Sequence, residues 1–175
     1  MQLRQLRADE GLAYRDVRLR ALQQAPEAFA ATYDEEAAQP DAFWLDLVAR
    51  TANAMEAAMF TIERPEATPA APTNLAATTF VRVSPTPPHD AYIGAMWLDP
   101  DLRGPLAASE DRWADLLLQA AEHFARTLGS PAITLWVAES NPAAHRFYER
   151  NGYRPTGQSE PQPSGITAHL LHKPL

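Results

Sequence analysis

Apolar and polar positions follow two rhythms along this chain, and the changes between them mark its elements. Leu3 to Leu6 suits a short first strand. From Asp9 to Gln24, Leu12, Leu19 and Leu22 recur among arginines at helical spacing, and Pro26 stops the run. Phe29 to Glu36 keeps no clear period and reads as irregular or weakly helical. Pro40 opens a second helix with the stripe Phe43, Trp44, Leu47 and Val48. Three strand-like runs follow, Ala58 to Glu63, Leu75 to Val83 and Ala91 to Leu98. Proline-rich connections, Pro65 to Pro72 and Pro85 to Pro88, separate them, and an antiparallel meander is expected.

A long helix is expected from about Ser109 to Leu128. Its apolar positions Trp113, Leu116, Leu117, Ala120, Phe124 and Leu128 keep close to a 3.6-residue period. Ile133 to Val137 is continuously apolar, the pattern of a strand buried on both faces. Asn141 then offers a side-chain acceptor to a first-turn N–H, and Pro142 fixes φ where no N–H is needed. Ala144, Phe147 and Tyr148 fall on one face of the helix so begun, and Asn151-Gly152 supplies its left-handed exit. Tyr153 to Thr156 and Ile166 to His172 close the chain as strands. The order β-α-α-β-β-β-α-β-α-β-β predicts an α/β (α+β) domain with a mixed sheet. The sheet is expected to be antiparallel early, with one parallel crossing in the middle and helices on both faces.

Composition narrows the function classes. At 175 residues, with no internal repeat or linker, one domain over residues 1–175 is the simplest reading. A net charge of −7 argues against general nucleic-acid binding. With no cysteine, disulfides, thiolate metal sites and a cysteine nucleophile are excluded, and no His/Asp/Glu spacing suggests a metal. No apolar run approaches the roughly 20 residues that span a bilayer. The N-terminus lacks a signal-peptide core, so a cytoplasmic protein without membrane contact is expected.

Three segments carry a resemblance. They are Arg18-Leu-Arg-Ala-Leu22 with Pro26-Glu-Ala-Phe29 and Asp34-Glu-Glu36; Ala95-Met-Trp-Leu-Asp-Pro-Asp-Leu-Arg-Gly104; and Asn141-x-x-Ala144-x-x-Phe147-Tyr148-x-x-x-Gly152-Tyr153. In this order and spacing they resemble the GNAT superfamily of N-acetyltransferases, in its bacterial form, over nearly the whole chain. The resemblance implies transfer of an acetyl group from acetyl-CoA to a primary amine of a small molecule or peptide by direct attack, without a metal. It implies that Tyr148 protonates the departing thiolate, since a phenol of pKa near 10 keeps its proton at neutral pH. It further implies that Asn141 contacts the pantetheine arm or helps shape the turn beneath it, and that backbone groups of Met96, Trp97 and Leu98 pair with the arm as an added strand would. Arg103 and Gly104 would begin the pyrophosphate loop, Arg112 would add positive charge there, and Arg150 would approach a nucleotide phosphate. Dimers are common in the resembling family.

Two points stay open at this level. Glu35 and Glu36, beside Phe29 and Tyr33, are candidates to relay the acceptor's proton, against the plainer reading of a solvated acidic segment. The loop after Arg103-Gly104 also departs from the family's Arg-Gly-x-Gly-x-Gly/Ala pattern. It reads Pro105 to Trp113, lacks the later glycines, and loses an N–H donor at Pro105. Ser109 would cap the following helix, with Glu110 and Asp111 at its positive end, worth ~0.3–1 kcal/mol each to the helix but repulsive to a pyrophosphate. The alternative function is therefore a GNAT-fold pseudoenzyme, a binding or regulatory module with weakened or lost acetyl-CoA binding.

Overall fold

The computed structural model describes residues 1–66, 73–104, 106, 112–162 and 165–175. Its strands are β1 (Gln2–Gln5), β2 (Ala57–Glu63), β3 (Ala77–Val83), β4 (Ala91–Leu98), β5 (Ala132–Ala138), β6 (Arg154–Pro161) and β7 (Thr167–Pro174). Its α-helices are α1 (Gly11–Gln24), α2 (Tyr33–Ala37), α3 (Asp41–Asn53), α4 (Trp113–Thr127) and α5 (Pro142–Arg150). The strands form one sheet in the order β1-β2-β3-β4-β5-β7-β6. Every neighbouring pair is antiparallel except β4 and β5, which are parallel. The mixed, mostly antiparallel sheet with helices on both faces is the expected fold class.

Each face has its own apolar cluster. Tyr14 and Val17 of α1 and Trp44 and Val48 of α3 pack on Met59, Leu75 and Trp97. On the other face Leu118, Ala121 and Ala125 of α4 join Tyr148 of α5 against Val81, Ile93 and Leu135. The approach of α1 to α3 depends on Gly11, where a Cβ would lie 2.6 Å from the Cα of Leu45. That crossing sets which side of α1 is buried. Tyr14, Val17, Arg18 and Ala21 face inward, while Leu12 is exposed.

Several expected boundaries move. The segment expected to be irregular or weakly helical contains the short helix α2, held by a capping box in which the Thr32 hydroxyl accepts from the Glu35 N–H. Five residues are too few to show a period. Helix α4 begins at Trp113 with Arg112 as its N-cap residue; the expected roles of Ser109, Glu110 and Asp111 lie outside the described residues. Its buried stripe is Leu117, Leu118, Ala121, Glu122 and Ala125, rotated from the expected one, so a carboxylate enters the interior. Lys173 donates to both Glu122 oxygens at 2.7 and 2.8 Å, and the Tyr153 hydroxyl donates at 3.1 Å. Strand β6 is longer than its sequence suggests. Every one of its residues is exposed at the sheet edge, where Pro155 and Pro161 are tolerated and no apolar alternation is needed.

Candidate active site

The parallel pairing of β4 with β5 is brief. It joins Ala91 to Ile133 and Tyr92 to Thr134, and beyond Tyr92 strand β4 pairs with β3 alone. A bulge lies in that stretch, because Trp97 faces Thr78 and Gly94 faces Phe80, leaving one extra residue on β4. Ala95 takes it up with a left-handed φ of 52°. The strands thus part like a wedge, and the parting opens a cavity of about 540 Å³. Backbone polar groups along an unpaired strand edge are available to an extended ligand.

Helix α5 walls one side of the wedge. The Asn141 side-chain Oδ1 accepts from the Ala144 N–H at 3.0 Å, fixing the helix start, and Asn141, Ala144 and Tyr148 all line the cavity. Tyr148 is buried, and its ring stacks edge-on against Phe147 and Tyr153 at 5.0 and 5.5 Å. Its hydroxyl has one partner among the described residues, the Met96 sulfur at 3.4 Å. A thioether is a weak acceptor, so this proton is readily offered elsewhere. Burial raises the Tyr148 pKa above the phenol value, with a smaller push from Tyr92. The group stays a protonated donor at any physiological pH.

The other expected positions divide into three groups. Met96 lines the wedge, whereas Trp97 and Leu98 do not, and their side chains are buried in the apolar clusters. Arg103 folds back to donate twice to the Leu98 carbonyl, at 3.1 and 3.0 Å, and with Gly104 lines a second cavity of about 370 Å³. Arg112 is exposed at the start of α4. Arg150 lies over the Phe147 ring and pairs with Asp115 in the first turn of α4 at 3.1 Å. Residues 105 and 107–111, where the pyrophosphate loop would continue, are outside the described ones.

Glu35 and Glu36 are not brought to the cavity wall. Glu35 is exposed and occupied by Thr32, whose hydrogen bonds hold its carboxyl below the usual range. Glu36 accepts from Arg18 at 2.9 and 2.7 Å. The carboxylates that do line the wedge are Glu27, in the turn after α1, and Glu160, near the end of β6. Glu27 lies inside the Pro26-Glu-Ala-Phe29 segment, so its neighbourhood was legible. Nothing local marks Glu160, which reaches the wedge only through the pairing of β6 with β7.

The family model described as the acetyltransferase (GNAT) family matches residues 23–153, most of the chain and all of the wedge lining except Arg18 and the residues from Glu160 onward. The chain belongs to the GNAT family of acetyltransferases. Solved structures share its shape at low identity. A GNAT-family acetyltransferase from Streptococcus pneumoniae is 13% identical, with a TM-score of 0.73 over 99% of this chain and 98% of that one. YncA from Salmonella typhimurium, solved with its cofactor acetyl-CoA, is 12% identical, with a TM-score of 0.74 over 100% and 94%. The PaiA N-acetyltransferase of Thermoplasma acidophilum, in complex with coenzyme A, is 13% identical, with a TM-score of 0.70 over 99% and 98%. At such identities the likeness shows the fold. No curated protein matches this GNAT chain. Among its described residues no helix is long and apolar enough to cross a membrane.

Proposed function

We propose that this GNAT protein is an acetyl-CoA-dependent N-acetyltransferase that acylates a primary amine of a small molecule or peptide by direct attack. The carrying observation is the buried Tyr148 hydroxyl, held on the wall of the β4–β5 wedge with a thioether as its one partner among the described residues. In this reading Met96 to Leu98 offer backbone hydrogen bonds to the pantetheine arm, and Asn141 borders it. Donors on the β4 edge polarise the thioester carbonyl. The amine nitrogen forms a bond to the carbonyl carbon as the carbon–sulfur bond breaks. Tyr148 gives its proton to the departing sulfur, and the ammonium formed on nitrogen loses one to water, with Glu27 and Glu160 as the acidic groups that line the wedge.

Calorimetric titration with acetyl-CoA is the first test, followed by release of free thiol on addition of amines. Micromolar binding with amine-dependent thiol release is expected. Absence of heat at millimolar acetyl-CoA would overturn the enzyme reading and leave the binding-module alternative, which the altered loop after Gly104 motivates.

A further inference from the structure

The half of the wedge opposite α5 is charged, and its charges are not all used. Arg18 rises from α1 into the cavity wall with only 9% of its surface exposed. Glu36 occupies its Nε and Nη2, and Phe29 lies against its guanidinium at 4.6 Å. Nη1 is buried and has no hydrogen-bond partner among the described residues. An unmatched buried donor on a cation is costly, and a guanidinium favours a planar anion as its missing partner. Arg82 lines the same wall, directly across the β3–β4 ladder from Tyr92, and no carboxylate pairs with it among the described residues. Tyr92 stands between them. Gly94 leaves room for its ring, since a Cβ there would come within 3.0 Å of it. Burial raises the Tyr92 pKa, Glu160 adds to that, and Arg82 and Arg18 oppose it. Its hydroxyl is therefore a donor inside the field of both arginines.

We infer that the acceptor is zwitterionic, an amino-acid-sized molecule whose carboxylate is held by Arg82, Arg18 and the Tyr92 hydroxyl while its amine points toward the thioester. Glu27 and Glu160 on the same cavity set the limit on charge. They favour the cationic amine and disfavour a second negative charge, so one carboxylate fits where a dianionic phosphate would be repelled. The cavity also has to admit the acyl end of the cofactor, which leaves space for a small acceptor and not a folded one. This inference rests on the acetyltransferase reading for the role of the bound molecule, but not for its binding.

The test separates the two. The α- and ω-amino acids and their matched carboxamides are titrated into the protein by calorimetry, beside an independent titration with acetyl-CoA. At least one amino acid is expected to bind about tenfold or more tightly than its carboxamide. Arg82→Gln, a surface change that leaves the core intact, is expected to remove most of that preference, and Tyr92→Phe part of it. Equal binding of acids and carboxamides overturns the inference, as does binding of no amino acid up to tens of millimolar. A preference that survives in both variants overturns it too. Acid-selective binding with no acetyl-CoA binding upholds the carboxylate site while sinking the acetyltransferase reading; the reverse pattern does the opposite.

Discussion

Tyr148 illustrates how a residue's chemistry is divided between its neighbours along the chain and in space. Its place on α5 follows from Asn141, Pro142 and the helical spacing, all visible locally. Its proposed role as proton donor rests on burial, which keeps the proton on the oxygen, and on Met96, a partner 52 positions away that binds that proton only weakly. Tyr148→Phe is expected to lower turnover on the order of 100-fold, with acetyl-CoA affinity nearly unchanged, because the ring and its packing remain. Steady-state kinetics beside calorimetric titration check both halves, and unaltered turnover would remove Tyr148 from the proton path. Glu35 and Glu36 show the converse. Their sequence neighbourhood looks suited to an acceptor site, yet Thr32 and Arg18 take their oxygens. A carboxylate's partners decide its role, and those partners are not written beside it.

Helix α4 shows the same division among elements. Its existence and approximate end were legible from a sustained period that runs out at Leu128. Its rotation was not, because two neighbouring stripes on the helix are both apolar enough to be buried. The sheet chose the one containing Ala121 and Ala125, whose small side chains permit close packing, and carried Glu122 inside with them. That choice is stable because Lys173 of β7 and Tyr153 satisfy the carboxylate. Lys173→Met would leave Glu122 buried with the Tyr153 hydroxyl and a part-exposed Arg126 as its remaining donors. The expected loss is about 3 kcal/mol, read as a fall in urea midpoint at unchanged slope. Adding Glu122→Leu should restore part of it by removing the stranded charge. If the single change costs nothing, the pair does not anchor α4 to β7.

Over the whole molecule, the wedge is a property of the sheet and not of any element in it. Strands β4 and β5 pair over two residues, then diverge around the Ala95 bulge, while α5 and the turn after α1 close the two ends of the gap. If acetyl-CoA fills the gap as an added strand, the backbone amides between Ile93 and Leu98 that point away from β3 gain partners. Hydrogen exchange there is expected to slow by about tenfold or more at saturating acetyl-CoA, with smaller change in β1 and β2. Protection confined to other segments would move the cofactor out of the wedge. The proposed acceptor side belongs to this scale as well, since Arg18, Arg82, Tyr92 and Glu160 come from four elements that only the closed fold brings together.

By itself the sequence determined the order and kind of the long elements, the family, and the helix that presents Tyr148. These are local quantities, fixed by periodicity, by capping residues and by backbone preferences within a few positions. The tertiary structure alone decided which stripe of α1 and α4 faces inward, that β6 runs along an edge without an apolar pattern, and which charges meet at the cavity. Those outcomes depend on contacts between distant segments, such as the backbone approach at Gly11 and the pairing of β6 with β7. Burial and charge pairing set the chemistry of a site, and both are properties of the packed chain.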